Sequence, residues 1–215
     1  MTLAEEIRKM QEEMLPNVPA ETLNTMMETT RRLVESGIAE QALHSGSVAP
    51  DFELPDPAGN RFHLAEALGR GPVVLNFYRG GWCPYCNLEL KALDRVTPRI
   101  RELGATVVSI SPNLPERSAE LVQDNPFSFP VLCDVDLKVA RQYGLVFRLA
   151  DELRPIYLEF GIDLPAFDGN DRYELPMPAT YVVGDDGIIH HDFVDADYTR
   201  RMEPDEILQA LQRLA

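Results

Sequence analysis

The chain has 215 residues, 45% of them hydrophobic, and a formal net charge of −15. That length suits one domain with a decorated edge or terminus, and the acidic balance gives neither nucleic acid nor an anionic membrane anything to gain from contact. No apolar stretch approaches the ~20 residues of a membrane span. The opening Met1–Glu6 is acidic and helical in pattern, without a basic n-region or apolar h-region, so a signal peptide is not expected. The expected compartment is a reducing cytoplasm, where a Cys-x-x-Cys is catalytic or metal-binding more often than structural.

In chain order, Leu3, Ile7, Met10 and Met14 lie at helical spacing until Pro16 breaks the pattern. Leu23, Met26, Met27, Thr30, Val34 and Ile38 form a second stripe, opened near Pro19 and closed by Gly37. Each stripe predicts a face buried on the core or on a second subunit. From Ala49 the grammar changes to strands alternating with helices. Val73–Tyr78 and Ala105–Ile110 are continuous apolar runs around a helix from Asn87 to about Arg101, which predicts parallel strands and a right-handed crossover. A helix near 117–122, a strand at 130–132 and a helix at 137–143 follow. The stretch from Leu145 to Pro176 reads as a short helix from Asp151 and then a structured loop, functional or capping an edge. Thr180–Val183 and Ile188–Phe193 flank Asp185-Asp186-Gly187 as a hairpin, and a last helix runs from Pro204 to Leu214. This is the order of a thioredoxin-like α/β fold: a central mixed sheet flanked by helices, over residues 46–215, with an N-terminal helical extension over residues 1–45.

Trp82-Cys83-Pro84-Tyr85-Cys86 sits where the first apolar strand hands over to a helix. A helix N-terminus favours an anion, so a thiol placed there loses its proton more easily, and a second thiol three residues on can close a disulfide. A zinc site would need four ligands. No second Cys-x-x-Cys and no His-x-x-x-His accompanies this one, so redox chemistry is expected, with no metal and no cofactor. Arg79 is either part of a flexible surface turn or a cation that lowers a thiolate pKa or holds a peroxide oxygen. Trp82 is expected to shield the site and offer a flat surface to a partner. Cys133 reads as a buried core thiol, and Tyr198-Thr199-Arg200-Arg201 as a solvated turn.

Ala49-Pro50-Asp51-Phe52 with Leu54, Asn76 through Cys86, Phe129 through Asp134, and Pro178-Ala179-Thr180-Tyr181 followed by Asp186-Gly187 together resemble the peroxiredoxin-like (alkyl-hydroperoxide-reductase/thiol-specific-antioxidant) branch of the thioredoxin superfamily. The resemblance covers about Gly46 to the C-terminus. It departs from true peroxiredoxins in the active-site loop. Laid without gaps, Arg79 falls where they have a proline, Cys83 on their threonine and Cys86 on their peroxidatic cysteine, while Pro178 replaces a conserved arginine. Pro178 is instead what thioredoxins have, as a cis bond facing the dithiol, and Pro84-Tyr85 is the glutaredoxin dipeptide. The resemblance implies a thiol-dependent peroxidase that reduces hydroperoxides through Cys83 and Cys86; Arg79, the one nearby cation in the motif, is read from the residues as its activating group. A thioredoxin- or glutaredoxin-type donor would recycle it. The alternatives are a protein dithiol–disulfide oxidoreductase and a non-enzymatic redox sensor. Trp82, Pro84, Tyr85, Pro178 and Thr180 are then expected to face the substrate or partner, and a homodimer is left open. The overlay nominates Cys86 as the attacker of peroxide; helix-terminus geometry nominates Cys83, which is preferred for disulfides. The attacking thiolate is expected to have a depressed pKa, owed first to the helix N-terminus and second to Arg79.

Overall fold

The structure, a computed structural model, describes residues 1–214. The chain forms helices α1 (Leu3–Met14) and α2 (Ala20–Glu35), strands β1 (Glu53–Pro55) and β2 (Arg61–His63), helix α3 (Leu64–Leu68), strand β3 (Val73–Phe77), helix α4 (Pro84–Glu102) and strand β4 (Thr106–Ser111). Helix α5 (Pro115–Asp124), strand β5 (Val131–Cys133), helix α6 (Lys138–Gln142), strand β6 (Val146–Arg148) and helices α7 (Leu153–Glu159) and α8 (Leu164–Asp168) follow. Strands β7 (Glu174–Pro176), β8 (Ala179–Val183) and β9 (Ile189–Val194) and helix α9 (Pro204–Gln212) complete it.

The central sheet has the order β5-β4-β3-β8-β9. Strand β3 is buried at every position because both faces of the sheet are covered, which is why it reads as an unbroken apolar run. It pairs parallel with β4 (Leu75 opposite Val108) and antiparallel with β8 (Phe77 opposite Ala179). On one face Val74, Val107 and Val182 pack under α4, α1 and α9, through Leu90, Leu93, Leu3, Ile7, Ile207 and Leu211. On the other, Val73, Leu75, Phe77, Ile110 and Tyr181 pack with Phe52, Leu64, Tyr143 and Leu145. Helix α1 therefore belongs to the same apolar cluster as the sheet. Its first turn is also tied down chemically: the Glu203 carboxylate, at the N-cap of α9, accepts from the backbone N–H groups of Leu3 (3.0 Å) and Ala4 (2.7 Å).

Three sequence expectations are corrected here. The stretch 145–176 is no loop after its first helix. Strands β6 and β7 pair antiparallel and zip its base, and α7 and α8 lie between them around Leu149, Leu153, Ile156, Tyr157, Leu164 and Leu175. The β1–β2 hairpin was not expected, because three-residue strands are too short to display an alternation. And the Met177–Pro178 peptide is trans: the described residues contain no cis bond. The Met177 N–H donates to the Leu145 carbonyl at 2.8 Å, so the chain runs extended from β7 straight into β8.

Candidate active site

Strand β3 delivers the chain to the end of the sheet, and Tyr78 still bonds to the Ile110 carbonyl (3.0 Å) before the backbone leaves as Arg79-Gly80-Gly81-Trp82. Gly80 has φ +153°, and a Cβ there would meet the Trp82 indole nitrogen at 2.4 Å. The glycine is what lets Trp82 fold back over the turn. Asn113, in the loop after β4, fixes the same turn: its Oδ1 accepts from the Gly81 N–H at 2.9 Å, and its Nδ2 donates to Asp168 at 2.8 Å. Cys83 is then the N-cap of α4, with Pro84 at the first helical position.

Both thiols are reduced and buried, Cys83 at 1% and Cys86 at 0% exposure. Burial by itself raises a thiol pKa. At Cys83 it is outweighed by a hydrogen bond from the Cys86 thiol, by the charges of Arg79 and Arg201, and by the Cys86 backbone N–H, which together bring it down to about 6. At Cys86 burial is reinforced by the Cys83 thiolate, and its pKa goes well up. The two thiols thus divide into a thiolate and a thiol at neutral pH. The depressed pKa was expected, but the ranking of its causes was not. The second thiol and two arginines come before the helix-terminus N–H.

Arg79 is a buried guanidinium without a carboxylate partner among the described residues. Its Nη2 donates to the Tyr157 hydroxyl and its Nε has no partner. Its charge is held by aromatic faces instead: Tyr198 at 4.3 Å, Trp82 at 4.9 Å and Tyr157 at 5.8 Å from the ring centroids. A reading of Arg79 as part of a mobile surface turn is overturned by that burial. Tyr157 comes from α7, so the 145–176 excursion supplies one wall of the site.

Arg201 is the residue that sequence reasoning missed outright. Expected in a solvated turn, its side chain is 1% exposed. It is ion-paired with the equally buried Glu89 of α4 at 2.6 Å, and its Nη2 donates to the Cys86 sulfur at 3.4 Å. Burial pushes the Glu89 carboxyl up to about 7, against the pull of Arg201. Glu89 also meets Thr180, which accepts from Asn76, whose Oδ1 in turn accepts from Ser109, so a buried polar chain crosses three strands below the dithiol. A glutamate three residues after Cys86, on the stripe that continues through Leu90 and Leu93, was the one visible hint. Arg201 lies 115 residues from Cys86 and gave none.

Of the residues expected to face a partner, Trp82 is half-buried and Pro84 exposed. Tyr85, Pro178 and Thr180 face inward. Tyr85 lies under α1, its ring edge-on to Tyr198 and its hydroxyl accepting from Gln11. Thr180 belongs to the polar chain, and Pro178 is buried one position beyond the Phe77–Ala179 pair. The helix periodicity places Tyr85 on the face of α4 that α1 covers, which a reading of the loop alone does not reveal. Among the described residues no cluster of three or more His, Cys, Asp or Glu side chains could hold a metal, and no helix is long and apolar enough to cross a membrane.

The chain is similar in sequence and in fold to known proteins. A Mycobacterium tuberculosis protein assigned as a peroxiredoxin is 32% identical over 114 residues, 53% of this chain and 74% of that protein. Peroxiredoxin Bcp of Escherichia coli is 26% identical over 153 residues, 71% of this chain and 86% of that one. The thiol-disulfide oxidoreductase ResA of Halalkalibacterium halodurans is 32% identical over 102 residues, 47% of this chain and 57% of ResA. The crystal structure of the peroxidoxin BcpB of Mycobacterium tuberculosis superposes with a TM-score of 0.63 at 24% identity, covering 80% of this chain and 99% of that one, a likeness of fold. The signature of the AhpC/TSA family spans residues 45–192, well over half the chain, and the protein therefore belongs to the AhpC/TSA family of thiol oxidoreductases.

Proposed function

We propose that this protein is a thiol-dependent peroxidase in which Cys83 attacks and Cys86 resolves. The observation that carries the reading is the pairing of a thiol brought down to about 6 with a buried guanidinium, Arg79, that has no carboxylate of its own. A thiolate is the nucleophile, and a cation beside it can both hold it ionised and polarise an incoming peroxide. The Cys83 thiolate attacks the distal oxygen of ROOH, the O–O bond breaks, RO⁻ leaves and is protonated to ROH, and Cys83 becomes a sulfenic acid. Loss of the thiolate removes the charge that held Cys86 protonated. Arg201, at 3.4 Å, then favours the Cys86 thiolate. That thiolate attacks the Cys83 sulfur, hydroxide leaves as water, and a disulfide forms. A dithiol donor of thioredoxin or glutaredoxin type returns two electrons and two protons. The cytoplasm, where such donors are kept reduced, is the compartment that fits the cycle.

The overlay on peroxiredoxins nominates Cys86 as the attacker; the electrostatic division of the two thiols favours Cys83. A second reading, protein disulfide exchange, has the ResA likeness and the Cys-x-x-Cys at a helix N-terminus in its favour. Burial of Cys83 at 1% favours a small hydroperoxide over a protein disulfide. Single-turnover oxidation by hydrogen peroxide and by tert-butyl hydroperoxide tests the reading. Cys86→Ser should accumulate a sulfenic acid on Cys83, trapped by dimedone and located by mass spectrometry, whereas Cys83→Ser should consume peroxide no faster than free cysteine. Sulfenic acid on Cys86 of the Cys83→Ser variant at the wild-type rate would reverse the assignment. Failure of both peroxides alongside rapid reduction of a protein disulfide would replace it with exchange.

A further inference from the structure

The far side of Arg79 from the thiols opens on a cavity. It has a volume of about 270 Å³ and lies between α2 and the 147–157 stretch. Its apolar walls are Leu33, Phe147, Leu149 and Leu153, with Tyr157 and Tyr198 beside Arg79. An engineered cavity of roughly 150 Å³ is enough for benzene, so this one has room for a ring or a short branched chain with a polar head. Its charges run against the rest of the molecule. The chain carries 35 acidic side chains to 20 basic ones, yet the cavity is lined by Arg32, Arg79 and Arg148 and by a single carboxylate, Glu152. Glu152 is already committed to Arg32 at 2.7 Å, and Arg148 reaches only the exposed Asp151, at 3.7 Å. Arg79 has no carboxylate among the described residues, and its buried Nε has no partner. A desolvated cation left in that state is costly, and among the described residues the negative charge beside it is the Cys83 thiolate. That charge is lost whenever Cys83 is protonated or oxidised.

We propose that this cavity is a binding site for a monocarboxylate with a compact apolar body, whose carboxylate pairs with Arg79 and competes with the Cys83 thiolate for it. The inference deepens the peroxidase reading by giving the same site a ligand that retunes its nucleophile. Two effects follow from one coupling. A bound carboxylate takes Arg79 away from the thiolate and so raises the pH at which Cys83 ionises. By linkage, the neutral-thiol form binds the carboxylate more tightly than the thiolate form, by the factor the shift measures. The disulfide form, which equally lacks the thiolate charge, is expected to bind more tightly than the thiolate form as well. The titratable groups that act on Arg79 are Tyr157, Cys83, Tyr198 and Cys86, of which Cys83 changes charge near neutrality. Glu89, brought up to about 7, is paired with Arg201, which also acts on Cys83, so the alkylation midpoints are compared with and without ligand in the same buffer.

The single tryptophan of the chain, Trp82, lies 4.9 Å from the Arg79 guanidinium and reports on it directly. Cyclohexanecarboxylate, transparent in the near ultraviolet, should give a saturable change in Trp82 fluorescence. Cyclohexylmethanol, which has the same body without the charge, should give none at equal concentration. The affinity should be about three- to tenfold higher for the disulfide form than for the reduced form at pH 8. Saturating ligand should move the midpoint of Cys83 alkylation by iodoacetamide upward by the matching half to one unit. Thr30→Phe, which fills the cavity from α2, should abolish the response. Arg148→Glu, a change at an exposed side chain of the cavity lining, should weaken it severalfold. Absence of a saturable response in both redox forms overturns the proposal, as does equal binding of the alcohol or an unchanged affinity in Thr30→Phe and Arg148→Glu together. Peroxide oxidation measured without the carboxylate tests the peroxidase reading separately, since binding can persist in a protein that reduces no peroxide.

Discussion

Arg79 illustrates how one residue can serve reactivity at the expense of stability. A buried guanidinium without a counter-ion is tolerated because three aromatic faces and one tyrosine hydroxyl replace part of its hydration. Arg79→Met removes the charge and keeps much of the volume. The expected outcome is a stability at least equal to wild type below about pH 6, where Cys83 is a neutral thiol, and a smaller gain or a loss at higher pH, where the buried thiolate lacks its cation. The Cys83 midpoint should rise from about 6 by up to about one unit. Because the thiolate is the nucleophile and the proposed mechanism also has Arg79 polarise the peroxide, the single-turnover peroxide rate should fall at every pH, and severalfold further at pH 6–7 than above pH 8. A stopped-flow pH profile decides it, and an unshifted midpoint would remove Arg79 from the control of the thiol. Of the site residues, those within the local motif, Arg79 through Cys86, were legible because the helix start follows from their spacing. Arg201, Tyr198 and Tyr157 were not, because each reaches the dithiol only through the tertiary fold. A charged residue in a polar stretch such as Tyr198–Arg201 carries no local sign of whether it will be buried.

At the scale of elements, the same division holds. Strands β3, β4 and β8 and helices α1, α2 and α4 are long enough for their period to declare them, but the face expected to be buried on α2 is only partly so, since Met27 and Val34 of its stripe are exposed. In the excursion from β6 to β7 the short helix expected from Asp151 is present as α7, while the rest was unreadable because its strands hold three residues each and α8 five. Yet it closes one side of the site twice over. Helix α7 presents Tyr157 to Arg79, and α8 presents Asp168 to Asn113, which holds the Gly81 turn. Burial pushes the Asp168 carboxyl up to about 7, the Asn113 hydrogen bond opposing it. A carboxyl whose folded pKa lies above its unfolded value near 3.9 stabilises the fold fully below that value, and the contribution is lost as pH rises through about 7. Wild type should therefore be less stable at pH 8 than at pH 5 from this group. Asp168→Asn keeps an oxygen to accept from Asn113 and cannot ionise. It should raise stability at pH 8 by the order of 1–3 kcal/mol more than at pH 5. Urea unfolding at the two pH values measures the difference, and equal shifts at both would mean that Asp168 is ionised across the range.

Over the whole molecule, the question is whether the N-terminal helices are an appendage or a part of the fold, and α1 is the sharper test. Its apolar stripe, Leu3 and Ile7 with Met10 and Met14 at the margin, lies in the cluster formed by α4, α9 and one face of the sheet. Glu6 pairs with Arg95 at 2.7 Å, and the Glu203 carboxylate joins the starts of α1 and α9. Gln11 reaches the Tyr85 hydroxyl, so α1 also covers the first turn of the catalytic helix. Burying Leu3 and Ile7 stabilises by roughly 2–4 kcal/mol, from about 1.5–3 kcal/mol per side chain reduced by the compactness of the unfolded chain. Removing residues 1–17 should then lower the melting temperature by roughly 5–15 °C, on a scale of about 2–4 °C per kcal/mol for a chain of this size. It would also uncover Tyr85 and the apolar face of α4 beside the dithiol. Alkylation of Cys83 should become faster at pH 8, where the thiolate is already formed and access alone limits the rate. Ile7→Asp is the matched point change, placing a charge on the same buried face without shortening the chain. A truncated protein that melts within 2 °C of the full chain and keeps its Cys83 alkylation rate would make α1 a bystander, with its apolar stripe then left to a second subunit.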